Sequence, residues 1–364
     1  MLTYLRVDNL RSLVNFEWRP GTVNLLVGSN GSGKTTVLSA LNLVCQLMRG
    51  QRVTECLTAS DLTWWQRRDR QQISLRVKRE TQSAFVYDLT IKYEGRLEHP
   101  LIEREALSED GRLLFEYTNN TVTLYDDEFR VTQKFSLSGS RSFIPEVPAS
   151  GNNTKLCWFR DYWFRALILK PDIFRFSSHT TDEESVLRQD ATNFASWWRE
   201  MALSRPSAIH RLDERLPAIV SGATSLRLAD RHSGRALSID IHRHGKVHTT
   251  GFDQLTEGQR TLILLYAISE CLDRASLIAL DEALNYIAIA EIQPALVALR
   301  EAVVDAGGQL IVVSHHPEVI DYLGADDTFV FSLKNGLSEC VPLRDIDLSG
   351  ARLSEYLAGL GDAV

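Results

Sequence analysis

From Gly28 to Thr36 the chain reads Gly-Ser-Asn-Gly-Ser-Gly-Lys-Thr-Thr, with glycines at the turns, a lysine after the last of them and a hydroxyl side chain next in line. The spacing Gly28-x-x-x-x-Gly33-Lys34-Thr35 is that of a loop made to receive phosphate. Glycine lets successive backbone N–H groups turn toward one anion, and the Lys34 ammonium adds positive charge there. The Thr35 hydroxyl suits a Mg²⁺ ion carried with the phosphates. Gly28, Ser29, Asn30, Gly31, Ser32, Gly33, Lys34, Thr35 and Thr36 are therefore the expected contacts of a nucleoside triphosphate, with Lys34 neutralising charge during phosphoryl transfer.

A second group of reactive side chains lies far along the sequence. Leu277-Ile278-Ala279-Leu280-Asp281-Glu282 is an apolar strand ending in two carboxylates. In phosphoryl transfer that position suits Asp281 in the metal shell and Glu282 orienting or deprotonating the attacking water. A solvated strand end has the same composition, and the phosphate loop upstream is what favours chemistry. After the next strand comes Ser314-His315-His316-Pro317-Glu318, a histidine where ligands of open α/β sheets collect. His315 is read as a partner of the γ-phosphate or the water. His316 competes for that role, and a capping or merely exposed histidine is the alternative. A third group, Gln254-Leu255-Thr256-Glu257-Gly258-Gln259-Arg260, opens an apolar helix and could receive an anion at its start. Thr-x-x-Gln is equally a capping box, in which Thr256 serves only its own backbone.

These groups require elements to hold them. Val23–Val27 is an apolar strand, and Val37, Leu38, Leu41, Val44, Leu47 and Met48 recur at helical spacing behind the loop. Leu277–Leu280 and Gln309–Val313 read as buried strands, separated by a helix with Ile292, Leu296, Leu299 and Val303 on one face. Such alternation predicts a mostly parallel sheet. Ile73–Val77 and Phe85–Leu89 read as half-exposed strands, and Val122–Phe135 as a hairpin. Residues 136–155, rich in Ser, Gly, Pro and Asn, predict a surface loop. The first segment, to about residue 50, reads as two strands, the loop and a helix whose mates lie at the other end of the chain, so the nucleotide domain is expected to be discontinuous.

Composition bounds the function. With 364 residues, 44% hydrophobic and 24% charged, the chain can bury a core without metal or disulfides. No apolar run has the length of a membrane span and the N-terminus enters a strand pattern at once, so the expected location is the cytoplasm, with no membrane partner. Five scattered cysteines argue against a disulfide framework or a zinc site. A net charge of −7 confines any nucleic-acid contact to a local patch or a partner chain.

In this order, Gly28–Thr36, Leu255–Arg260, Leu280-Asp281-Glu282 and Ser314-His315 resemble the motifs of ABC-type ATPases, and within them the SMC, RecF and OLD-like branch, with its ATPases of DNA repair and anti-phage defence. Asn9-Leu10-Arg11-Ser12 looks like the short motif ahead of the loop in that branch, and Asn193-Phe194-Ala195 like a segment of its RecF-like members. The resemblance implies an α/β P-loop NTPase fold, a mixed sheet with flanking helices, with the nucleotide domain over 1–60 and 230–364 and a β-rich, helical insertion over 61–229. It implies ATP and Mg²⁺ as cofactors and ATP hydrolysis as the activity. It also implies a homodimer that sandwiches two nucleotides, with Thr256 and Gly258 touching the γ-phosphate across the interface and Asn285 lying at it. Glu257 departs from the family, where Gly is common, and sets a carboxylate near a phosphate. Ala283 stands where Pro is usual, and Gln66, Gln71 and Gln72 are in the region of the family's Mg²⁺-sensing glutamine.

OLD-like relatives carry a nuclease domain after the ATPase, whereas here a strand pair around Phe329–Val341 and a last helix near Leu353 follow His316. A separate effector or nuclease subunit is therefore expected, with DNA as a further partner. Two other functions stand against this one. The nucleotide-binding subunit of a transporter is disfavoured by the long insert and by the signature at Leu255–Arg260; a regulatory scaffold with little turnover is the other, suggested by Glu257. His242, His244 and His248 at even spacing fit a metal site or an exposed hairpin edge. Trp64–Arg70 and Trp158–Arg165 interleave aromatics with arginines, which suits base stacking or plain packing.

Overall fold

The computed structural model describes residues 1–346 apart from 67, 80–82, 95–98 and 273–275. Two compact units emerge, one of 1–166 with the segment from Gly324, the other of Leu167–Leu323. In the first, β1 (Leu2–Asp8), β2 (Phe16–Trp18), β3 (Val23–Gly28) and α1 (Lys34–Met48) precede a short helix α2 (Val53–Cys56). Strands β4 (Arg70–Lys78), β5 (Ala84–Glu94), β6 (His99–Glu109), β7 (Arg112–Thr118), β8 (Thr121–Tyr125) and β9 (Val131–Ser136) follow, then α3 (Thr154–Arg165). β4 to β9 form an antiparallel meander that β1 and β2 extend, in the order β2-β1-β4-β5-β6-β7-β8-β9. Three strands, not two, therefore precede α1, and β1 pairs with β4, Leu5 opposite Leu75.

Period-two patterning explains the meander. In β4, Gln71, Ile73, Leu75 and Val77 are buried while Arg70, Gln72, Arg76 and Lys78 face solvent. One face must then be covered. α3 covers part of it, stacking Trp158 on Phe85 with centroids 4.9 Å apart and Phe159 against Tyr87 at 5.4 Å. Phe159 and Trp163 are fully buried, each such ring contributing about 1.5–3 kcal/mol. Arg160 on the same helix donates to Asp161 and to the Val147 carbonyl, so Trp158 to Trp163 serve packing, while Phe164 stays exposed. The loop over 137–153 is docked rather than wholly at the surface. Ser142, Ile144 and Val147 are buried, the Gly139 carbonyl accepts from Ile102 N, and Ser142 Oγ donates to Glu105 at 2.7 Å. At the far end of α1, the Arg49 guanidinium donates to the Phe164 and Ala166 carbonyls at the end of α3.

The second unit contains β10 (Leu167–Leu169), β11 (His179–Thr180), α4 (Phe194–Ser204), α5 (Pro206–Ile219), β12 (Ala223–Arg231), β13 (Gly234–Arg243) and β14 (Lys246–Gly251). It continues with α6 (Glu257–Cys271), β15 (Leu277–Asp281), α7 (Ile289–Asp305), β16 (Gln309–Val313) and α8 (Pro317–Leu323). β10, β15 and β16 are parallel neighbours, and every residue of β15 and β16 is buried, the pattern of strands covered on both faces. Ile292, Leu296, Leu299 and Val303 make the buried face of α7. Asn193 caps the local chain through Arg188 N, Glu184 and Val186, and Phe194 stacks with Phe176 and Phe252, which gives the Asn193-Phe194-Ala195 segment a packing role.

β13 and β14 form a hairpin that separates the three histidines. His242 lies opposite Val247, His248 opposite Ile241, and His244 occupies the turn at φ +50. They are not on one strand, and no group of three metal-ligating side chains occurs among the described residues. The chain then returns to the first unit, where β17 (Thr328–Lys334) runs parallel to β3 and pairs antiparallel with β18 (Leu337–Pro342). The helix expected near Leu353 lies outside the described residues. Among those described, no helix is long and apolar enough to cross a membrane.

Candidate nucleotide site

The glycine-rich loop belongs to the first unit. β3 is buried and delivers Gly28 beside Phe331 of β17, where φ is +138 and a Cβ would overlap the Phe331 carbonyl oxygen. Only glycine fits there. The loop enters α1 through Gly33 at φ +105, which gives the helix no side-chain cap, and the first turn carries no acid. The amino end of the helix is thus left to the polarity of its own N–H groups, an arrangement that attracts anions. Lys34 is only 5% exposed, and its ammonium folds back onto the Gly28 carbonyl at 2.6 Å and the Ser29 carbonyl at 2.9 Å. Ser29, Asn30 and Gly31 are exposed, Ser32 and Thr36 buried, and Thr35 half-buried with its carbonyl bonded by Ser39 Oγ at 2.9 Å. A glycine-shaped cradle, a helix start and an ammonium make a donor set that fits phosphate.

The acidic cluster belongs to the second unit. Asp281 ends β15 with 4% exposure, and Lys170, just past β10, brings its ammonium to 3.4 Å from Oδ2. Glu282 leaves the strand at φ +53, a left-handed conformation that costs a non-glycine residue about 1–2 kcal/mol. Its N–H still donates to the Val313 carbonyl at 3.0 Å, so the ladder with β16 sets the bend. The bend carries the Glu282 carboxylate toward Asn285, which donates to Oε2 at 3.1 Å, and His315, whose Nε2 lies 3.6 Å from Oε1. His316 is occupied otherwise. Its Nδ1 accepts from Glu318 N at the start of α8, and its own N–H donates to Ser314 Oγ. Of the two histidines, the fold sets His315 beside the acid and uses His316 as a cap.

At the start of α6 the capping box is formed, Thr256 Oγ1 accepting from Gln259 N at 3.3 Å and Gln259 Oε1 from Thr256 N at 3.1 Å. Gly258 packs so closely on Tyr286 that a Cβ would come within 2.7 Å of its carbonyl oxygen. Glu257 is not left alone with its charge, since Arg260 Nη2 is 3.5 Å from its carboxylate while Nη1 donates to the Ile173 carbonyl at 3.0 Å. Phe174 and Tyr286 meet edge to face at 5.7 Å and stay exposed, as does Ile289.

A family model described as "AAA domain, putative AbiEii toxin, Type IV TA system" matches residues 23–321, from the strand before the phosphate loop to the helix after the histidines. The chain belongs to that AAA-domain family. The SMC head solved bound to the C-winged helix domain of ScpA is 15% identical with a TM-score of 0.59, covering 96% of this chain and 99% of that one. The Smc head domain with a coiled coil and joint derived from Pyrococcus yayanosii is 10% identical with a TM-score of 0.56, covering 100% and 99%. At such identities the likeness is one of fold, and the fold is the α/β P-loop ATPase of SMC heads. No curated protein matches the chain.

Within this AAA-domain protein Gly28 to Thr36 run without a break from the end of β3 through the loop into the first turn of α1, and Asp281, Glu282 and His315 gather at the carboxyl ends of two adjacent strands. Of the glutamines, Gln71 is buried, donating to the Asp61 carbonyl and accepting from Tyr93 OH, and Gln72 is exposed on the opposite face of β4. Gln66 is half-buried in a turn. In the Trp64–Arg70 stretch, Arg68 is bound bidentately to Asp8 and Arg70 to Glu103, while Trp64 and Trp65 stand exposed, edge to face. Lys170 escaped the sequence. The signal was Leu167-Ile168-Leu169 ahead of Pro171, a strand triplet whose tip is the counterpart of Asp281.

Proposed function

We propose that the chain binds ATP with Mg²⁺ and hydrolyses it, with residues 1–60 and 230–364 as the nucleotide domain and 61–229 as its insertion. The observation that carries this is the triad at the β15 and β16 tips: Asp281 buried, Glu282 bent out of the strand, and His315 at 3.6 Å from it. In this reading Gly28 to Thr36 would hold the phosphates, Lys34 would neutralise the β- and γ-phosphates, and Thr35 and Asp281 would hold Mg²⁺. When bound, the metal would supply charge neutralisation. Glu282 takes the proton of the attacking water or fixes its orientation, and His315 holds Glu282 in place and bonds the γ-phosphate. Steady-state ATPase assay tests this: Glu282→Gln should lower turnover by about 10²–10⁴-fold while retaining ATP. A variant that turns over as fast as the parent removes Glu282 from the role.

The active form in this proposal is a homodimer with two nucleotides between its subunits, Thr256 and Gly258 of one reaching the γ-phosphate bound by the other and Asn285 at the same seam. Support comes from Tyr286, which packs on Gly258, from Phe174 against it and from Ile289, all exposed apolar surface that an interface would cover. The Arg260 cation beside Glu257 lessens the repulsion a phosphate would meet there, which favours turnover over a silent scaffold. Light scattering of Glu282→Gln with and without ATP tests the dimer, which should form only with nucleotide. We further propose a separate effector or nuclease chain and DNA as partners, in prokaryotic anti-phage defence or DNA repair. The family's description as a toxin of a type IV system and the ScpA domain bound to the SMC head are what support a partner chain. Co-purification of the native complex tests it; full biological activity of the isolated chain counts against it.

A further inference from the structure

We propose that Lys170 is a placeholder for the divalent ion: its ammonium occupies the Asp281 carboxylate in the metal-free chain and is displaced to solvent when the ion arrives. The inference rests on the reading of Asp281 as the metal ligand and adds a residue that governs how readily the metal enters. Asp281 is 4% exposed, and a buried carboxylate needs a cation. Register supplies one. β10 lies parallel to β15 with Leu169 opposite Leu280, so position 170 falls beside position 281. The backbone there is tied down, Lys170 N donating to the Gln189 carbonyl at 2.8 Å and Asp172 N to the Asp190 carbonyl at 2.9 Å.

The side chain, by contrast, is 58% exposed and only its tip, 3.4 Å from Oδ2, engages the acid. A lysine in that pose is a point charge on a flexible stem, able to leave into water at little cost. An ammonium and a divalent ion on the same carboxylate repel each other, so the two compete. Because the lysine of the pair is open to solvent while the acid is buried, the competition is modest, near the upper end of the range of exposed ion pairs. Asp281 then meets a metal most easily when phosphates arrive with it and add their own ligands.

The test uses Mn²⁺ as the probe, with the full chain saturated by a non-hydrolysable ATP analogue and protein-bound Mn²⁺ read by electron paramagnetic resonance. Lys170→Met should lower the half-saturating Mn²⁺ concentration by about two- to fivefold, and Lys170→Arg, which keeps a cation there, should leave it near the parent's. Asp281→Asn should raise it by about tenfold or more, and in that background Lys170→Met should do nothing. Thermal denaturation without nucleotide or metal gives a second reading: Lys170→Met should lower the midpoint, and should not in the Asp281→Asn background. If Asp281→Asn weakens Mn²⁺ but Lys170→Met leaves it unchanged or weakens it as well, the placeholder is overturned while Asp281 keeps the metal. If Asp281→Asn itself has no effect on Mn²⁺, the metal assignment falls and the placeholder with it.

Discussion

The phosphate loop and the acidic strand tip both hold charge in readiness, and they do so by opposite means. In the loop a cation, Lys34, is buried on the carbonyls of its own backbone, and shape is enforced by glycine where Phe331 leaves no room for a Cβ. At the tip, two anions are held by side chains that reach in from partly exposed positions, Lys170 to Asp281 and His315 to Glu282. The loop is therefore specified by main-chain geometry and the tip by partners that can be exchanged. A change of backbone shape should act through folding, and a change of side-chain charge in either region through chemistry.

The largest effect expected is in the loop. Gly28→Ala should lose about 3–5 kcal/mol of unfolding free energy in urea, since the overlap is with main chain that cannot yield. Gly31→Ala, at φ +80 with open space around it, should lose only about 1–2 kcal/mol. Equal losses would mean that the loop is not held by shape. Next, Lys34→Met should weaken binding of an ATP analogue by about 2–5 kcal/mol in calorimetry, the cost of truncating a buried, bonded charge.

Glu105 sharpens the contrast with Asp281. It too is a buried carboxyl, but its neighbours are hydroxyls, Tyr87 at 2.8 Å and Ser142 at 2.7 Å, and burial pushes its pKa up to about 7. The native chain then binds a proton that the unfolded chain has already released between pH 4.5 and 7, so stability falls as pH rises through that window. The loss attributable to this group is about 3 kcal/mol, complete above pH 7, and Glu105→Gln should flatten that part of the urea-denaturation profile. The smallest effect is expected at the tip's backbone. Glu282→Gly relieves the left-handed strain and should raise stability by about 1 kcal/mol while turnover is lost.

Periodicity and motif made much of this legible. The strand–loop–helix from Val23 to Met48 and the β15–α7–β16 alternation follow from apolar spacing, because buried parallel strands admit few polar residues. What local pattern does not encode is which strand pairs with which. β1 precedes the loop in sequence yet joins β4, and the three even-spaced histidines straddle a turn that puts His244 at positive φ. The aromatic and arginine runs have one composition and two outcomes, α3 burying its rings on β5 and Trp64 remaining exposed. At the tip, Asp281, Glu282 and His315 were readable as strand ends, but the bend at Glu282, the choice of His315 over His316 and the approach of Lys170 required three dimensions.

Arg49 joins two helix ends. α1 begins at the phosphate loop, and its other end is bolted by one guanidinium to the last carbonyls of α3. One side chain therefore closes both helices, so a change at Arg49 reaches the last turn of α1, the last turn of α3 and, through Trp158 and Phe159, the meander beneath it.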